Sequence, residues 1–176
     1  MLAAGMIFMA QKERGLAKKM FQGLIDDKHD GYDARLWLGK IAVDENNLDE
    51  AKKQLALAKQ FDPESAEPYV LLAKALLKSE PDVAVAELEQ AAKLEVMDSS
   101  IPKALVEIYA KRQAWADVVR TARLSQMIDP YDVEVHDALA RALAALGHKD
   151  EARVELELKK QSAASTTGAP PPPSPR

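Results

Sequence analysis

The order of apolar and polar positions along this chain repeats itself. FDPESAEPYVLLAKAL, beginning at Phe61, reads as the end of one helix, a turn and the start of the next. IDPYDVEVHDALARAL, beginning at Ile128, has the same form sixty-seven residues later. That separation divides into thirty-four plus thirty-three. It predicts tandem helix–turn–helix units, each too small to bury its apolar face alone.

The fullest copy is YDARLWLGKIAVDENNLDEAKKQLALAKQFDPES, thirty-four residues starting at Tyr32. Numbered from Tyr32, it has a large and a small residue at positions 7 and 8 (Leu38, Gly39) and small residues at 20 and 27 (Ala51, Ala58). A bulky residue stands at 24 (Leu55), and Pro63 closes the unit. This unit resembles a tetratricopeptide repeat, or TPR, a helix–turn–helix of that period. A second copy starts at Ala66, with Leu72-Ala73, Ala84, Leu88 and Ala91, and is one residue short at its Glu80-Pro81 turn. A third starts at Ser99, with Leu105-Val106, Val118, Ala122, Ser125 and Asp129-Pro130. A fourth starts at Val133, with Leu139-Ala140, Gly147, Ala152 and Leu156. Counted backwards, Gly5, Ala17 and Phe21 take positions 8, 20 and 24 of a partial unit. The expected organisation is a partial unit over 1–31, full units over 32–65, 66–98 and 99–132, a final unit with a capping helix over 133–160, and a tail over 161–176.

The resemblance implies an all-α fold, a right-handed superhelical α-solenoid of TPR units. The spacing has a physical reason. Small residues at 8, 20 and 27 let helices approach closely, and large ones at 7 and 24 fill the gaps that remain. Asp-Pro ends a helix because the residue before proline is pushed out of the α region, and proline suits the start of the next. Asn46-Asn47, Gln113-Ala114 and Gly147-His148 are the expected turns within units. Two positions depart from the family pattern. Position 4, usually a bulky aromatic, holds Arg35, Tyr69, Pro102 and His136, so the family's aromatic is kept in bulk only at Tyr69 and Trp37 at position 6 is left to supply packing in its unit. Lys159 occupies the last small position, which suits a helix that nothing approaches.

Composition narrows the function. Apolar residues make up 47% and charged residues 30% of the 176, ordinary values for a soluble domain. A net charge of −4, with no basic stripe carrying interleaved aromatics, argues against nucleic acid. The absence of cysteine excludes disulfides and thiolate metal sites and leaves the compartment open, with the cytoplasm as default and the periplasm an option for a longer exported chain. MLAAGMIFMA is too short to span a bilayer, and its basic residues follow the apolar run, so no membrane insertion and no signal peptide are expected. Beyond Lys160, QSAASTTGAPPPPSPR has the composition of a disordered or polyproline-II tail.

Signatures of catalysis are missing. His29, His136 and His148 lie far apart and lack any H-E-x-x-H or i, i+4 pairing, and no phosphate-binding glycine loop or G-x-S-x-G elbow occurs. DDKHDGYDARLW, from Asp26, has the outline of a calcium loop. Lys28 stands at its third position, however, and Trp37 at its twelfth, where a carboxylate must close the shell. Helix-capping aspartates in an inter-unit turn explain the stretch instead. No enzyme, metal or cofactor is expected.

Surfaces therefore carry the expected function. In TPR proteins the opening helices of successive units line a concave groove, and positions 2, 5, 9, 12 and 13 face into it. The resemblance places Asp33, Leu36, Lys40, Val43 and Asp44 there, then Glu67, Val70, Lys74, Leu77 and Lys78. Ser100, Lys103, Glu107, Ala110 and Lys111 follow, and then Glu134, Asp137, Arg141, Ala144 and Ala145. Some family members clamp the C-terminal carboxylate of heat-shock chaperones with Asn at position 9. Met6, Lys40, Lys74, Glu107 and Arg141 stand at that position here, so this clamp is not expected. What remains is an apolar strip (Leu36, Val43, Val70, Leu77) beside Lys40, Lys74, Lys78, Lys103, Lys111 and Arg141. Such a groove suits a peptide or partner protein with apolar anchors and acidic residues, which makes the chain a protein–protein interaction scaffold.

MLAAGMIFMA is apolar all round, so Leu2, Met6, Ile7, Phe8 and Met9 form an end patch that something must cover. An upstream domain, a second copy or a partner protein would do so. Some long bacterial proteins of similar repeat texture carry an upstream metallopeptidase-like domain. The alternative function is thus a C-terminal, non-catalytic TPR module of such a larger protein.

Overall fold

The computed structural model describes residues 1–26 and 31–167. The Asp27–Asp30 part of the calcium-loop-like stretch and residues 168–176 of the proline-rich tail lie outside the described residues. The described chain is all-helical, with no strand, and divides into two compact units, Met1–Glu95 and Val96–Arg176.

The first unit holds α1 (Leu2–Ala10), α2 (Arg14–Asp26), α3 (Tyr32–Asp44), α4 (Leu48–Phe61), α5 (Glu67–Leu76) and α6 (Pro81–Leu94). The second holds α7 (Ser100–Lys111), α8 (Trp115–Ile128), α9 (Val133–Ala145) and α10 (Lys149–Thr167). Odd and even helices pair in sequence, and within each unit the second helix of one pair packs on the first helix of the next: α2 on α3, α4 on α5, α8 on α9. Helix α10 runs seven residues past Lys160, beyond the point where composition changes.

Four of the five intra-pair turns share one backbone solution. Lys12, Asn46, Gln113 and Gly147 have φ of 63°, 55°, 56° and 90°. In each turn the following N–H reaches back five residues: Glu13 to Phe8 (2.8 Å), Asn47 to Ala42 (2.9 Å), Ala114 to Tyr109 (3.0 Å) and His148 to Leu143 (2.8 Å). This left-handed stop satisfies carbonyls that the helix end would leave bare. The fifth turn, between α5 and α6, is the one that lacks a residue. There Glu80 N–H bonds the Leu76 carbonyl at 2.7 Å and Pro81 opens the next helix directly.

Small and large residues meet as the spacing requires. A Cβ on Gly39 would stand 2.5 Å from Leu55 Cδ2, and one on Gly5 would stand 2.5 Å from the Phe21 ring. Ala17, Phe21, Leu38 and Ile41 form a buried cluster in the first unit. Trp37 stacks on Phe21 with centroids 5.8 Å apart, supplying aromatic packing from position 6. Where position 4 lacks an aromatic, polar pairs cross to position 23. Arg35 Nη1 donates to Gln54 Oε1 at 3.0 Å, and His136 Nδ1 lies 2.7 Å from Glu155 Oε2. At Pro102 no such pair can form, and the buried Thr121 Oγ1 at position 23 of that repeat has no hydrogen-bond partner among the described residues.

Candidate peptide-binding cavities

The second unit carries a cavity of about 630 Å³ between α7 and α9, closed on one side by α10. Lys103, Glu107, Ala110 and Lys111 reach it from α7, Glu134, Asp137 and Arg141 from α9, and Lys159 from α10. The first seven are groove positions of the repeat, so successive opening helices do bring them together. Its floor is apolar: Val106, Val135 and Ala138 line it while remaining at most 5% exposed.

The walls are charged in both signs, because most of the cations are already paired. Lys103 Nζ lies 2.8 Å from Asp132 Oδ2 and 2.6 Å from Glu134 Oε2. Those hydrogen bonds hold its ammonium well above the usual lysine range. Asp132 is the N-cap of α9, accepting from the Glu134 and Val135 N–H groups at 2.9 and 3.0 Å. Burial works against its ionised form, but Lys103 and the two backbone donors outweigh it and hold the carboxyl below its ordinary value. Asp137 takes Arg141 at 3.1 Å and Lys159 at 2.7 Å. Lys111 is exposed on the same wall and makes no ion pair among the described residues.

A smaller cavity of about 400 Å³ in the first unit lies beside the α3–α4 turn and the end of α5. Val43, Lys74, Leu77 and Lys78 line it together with the turn residues Asn46 and Asn47. Lys74 and Lys78 are exposed and unpaired among the described residues, and Leu77 is 43% exposed.

Two sequence-based assignments need correction. Leu36 keeps only 4% of its surface and, unlike Val106, Val135 and Ala138, lines neither cavity. Lys40 is not a free cation: it pairs with Glu67 at 2.6 Å and lies 4.4 Å over the Trp37 ring. Val70 is half-buried and lines neither cavity. The end patch also divides. Leu2, Phe8 and Met9 pack against the Phe21 cluster, while Met6 and Ile7 stay 46% and 56% exposed. Lys159 was missed as a wall residue, and Asp132 as the carboxylate that holds Lys103. An aspartate just before a helix start is a legible cap, but its reach across to α7 is not.

Among the described residues no group of three His, Cys, Asp or Glu side chains could hold a metal ion, and no helix is long and apolar enough to cross a membrane. No protein-family model matches the sequence, and no curated protein does. Solved structures do. Two crystal structures of MamA superpose with TM-scores of 0.79 and 0.78 at 18% identity, covering 93% and 97% of this chain and 96% and 94% of theirs. YrrB, described as a TPR protein with an unusual peptide-binding site, superposes with a TM-score of 0.71 at 16% identity, over 90% of this chain and 82% of its own. At this identity the likeness speaks for fold alone, and together with the repeat register it establishes that the chain has the tetratricopeptide-repeat fold.

Proposed function

We propose that the chain is a protein-interaction scaffold whose second unit takes a peptide segment between α7 and α9. The observation that carries this reading is the convergence of seven groove positions from two successive helices around one apolar-floored cavity. A side chain with an apolar body fits the Val106–Ala138 floor, and an acidic group is met by Lys111, the wall cation not already held by a carboxylate. Glu107, Glu134 and Asp137 disfavour a uniformly acidic ligand, so the segment is one of mixed charge. The peptide site named for YrrB supports the class of ligand.

Selection of peptides from a random display library on the full chain, followed by titration of the winners, tests this reading. Binding should weaken as salt rises and should weaken further in Lys111→Glu, since rim charges act through screened attraction. Peptides that bind equally well to Lys111→Glu at any salt would place the site elsewhere.

A further inference from the structure

The smaller cavity of the first unit differs in charge from the one between α7 and α9. It lies where the full-length α3–α4 turn, with Asn46 and Asn47, meets the shortened α5–α6 turn, with Lys78 and Ser79. Ala42, Val43 and Ala51 give it an apolar floor at most 9% exposed, and Leu77 adds an accessible apolar surface. Among the described residues no carboxylate lines it. The carboxylates of the adjoining turns are engaged elsewhere: Asp44 with Arg14, Glu45 with Lys18 and Glu80 with Lys52. Asn47 spends its side-chain oxygen on the Glu50 N–H as the cap of α4, which leaves its NH2 as a donor beside the two ammonium groups.

Lys74 and Lys78 are exposed and unpaired among the described residues. Leu77 keeps helical backbone angles (φ −53°, ψ −32°), so Lys78 follows Lys74 one turn later on the same face. Like charges at that spacing repel and destabilise a helix, a cost that a bound anion removes. The same two positions hold Lys40 and Asp44, Glu107 and Lys111, and Arg141 and Ala145 in the units starting at Tyr32, Ser99 and Val133. The two unpaired cations therefore belong to the unit with the shortened turn.

We propose that this cavity is a second docking site, for an acidic segment of a partner protein. One carboxylate meets Lys74, a second meets Lys78, and an apolar side chain rests on Val43 and Leu77. Side chains one helical turn apart are separated by about 6 Å, and alternate residues of an extended chain by about 6.6 Å. The segment is therefore extended, with its carboxylates two residues apart and the apolar side chain two residues further on. Glu107, Glu134 and Asp137 turn the same segment away from the α7–α9 cavity, so the two sites take different ligands.

Nuclear magnetic resonance of the labelled full chain tests this, with an end-blocked Glu-Ser-Glu-Ser-Leu peptide and its uncharged counterpart Gln-Ser-Gln-Ser-Leu. Shift changes should fall on Val43, Asn47, Lys74, Leu77 and Lys78, and the uncharged peptide should bind more weakly by about tenfold or more. Lys74→Glu and Lys78→Glu should each weaken binding by a similar factor. Lys93→Glu, an equal change of net charge at an exposed position on α6, should leave it unchanged. All three positions are exposed, so circular dichroism should show unchanged helicity. Equal binding of the two peptides, an equal loss in Lys93→Glu, or unmoved Lys74 and Lys78 signals at millimolar peptide would overturn the proposal. Changes on Ala110 and Arg141 instead would overturn it while leaving the site between α7 and α9 standing.

Discussion

Leu55 Cδ2 sits 2.5 Å from where a Cβ on Gly39 would stand, and Leu55 is wholly buried. Gly39→Ala therefore sets two effects against each other. Alanine gains about 1 kcal/mol of helix propensity over glycine. Overpacking against an immobile neighbour costs about 1–3 kcal/mol. The second should win, giving a net loss of up to about 2 kcal/mol in urea unfolding. Gly15 has nothing within 4 Å of its Cβ position, so Gly15→Ala should instead be neutral or stabilising. Opposite signs for the two substitutions would confirm that close helix approach, not propensity, keeps glycine at position 8.

The pairing of Lys103 with Asp132 predicts a pH dependence. The Asp132 carboxyl is held below its ordinary value, so its contribution is present above the unfolded value of about 4 and is lost as pH falls through the folded one. The Lys103 ammonium is held up, so its contribution is present below about 10 and is lost as pH rises through the folded value. Asp132→Asn keeps a good helix cap but removes the charge. It should cost about 1 kcal/mol or less near neutral pH, because Lys103 is partly exposed to solvent. Thermal melts of wild type and variant should converge in acid. A constant difference down to pH 2 would contradict this account of the pair.

His136 is 3% exposed, with its Nδ1 at Glu155 and its Nε2 2.9 Å from the Pro130 carbonyl. His136→Phe would strand the Pro130 carbonyl and leave Glu155 only its hydrogen bond from Gln126, at 2.9 Å. The expected loss is about 1–3 kcal/mol, the usual cost of leaving buried polar groups unpaired. Adding Glu155→Leu should recover part of it, since contacting residues do not behave additively. Strict additivity in a double-mutant cycle would show that the polar pair is not the reason for histidine here.

Thr121 offers the reverse case. Its buried hydroxyl lacks a partner among the described residues, and position 4 of its repeat is Pro102, whose ring carries no hydrogen-bonding group. Thr121→Val should raise stability by about 1–2 kcal/mol, read as a higher melting temperature. A drop would mean that the hydroxyl is satisfied in solution.

Much of this fold was legible because repetition makes each position a repeated observation. Gly5, Gly39, Phe21 and Leu55 announce close approach through size alone, and Asn46, Gln113 and Gly147 mark turns through the register. Charge pairing was not legible in the same way. Lys103 looked like a free groove cation, and only the position of the α9 cap gives it Asp132 and Glu134. Leu36 shares a register position with Lys103, yet one is buried and the other lines a cavity. Register fixes the direction of a side chain but not what its neighbours leave open.

The proposed peptide site is tested most directly by nuclear magnetic resonance of the labelled full chain titrated with a library-selected peptide. Shift changes should concentrate on Lys103, Ala110, Lys111 and Arg141, and Lys111→Glu should suppress them. Changes confined to the exposed α8 residues Arg123, Leu124 and Met127, with Ala110 and Arg141 unmoved, would contradict a site between α7 and α9.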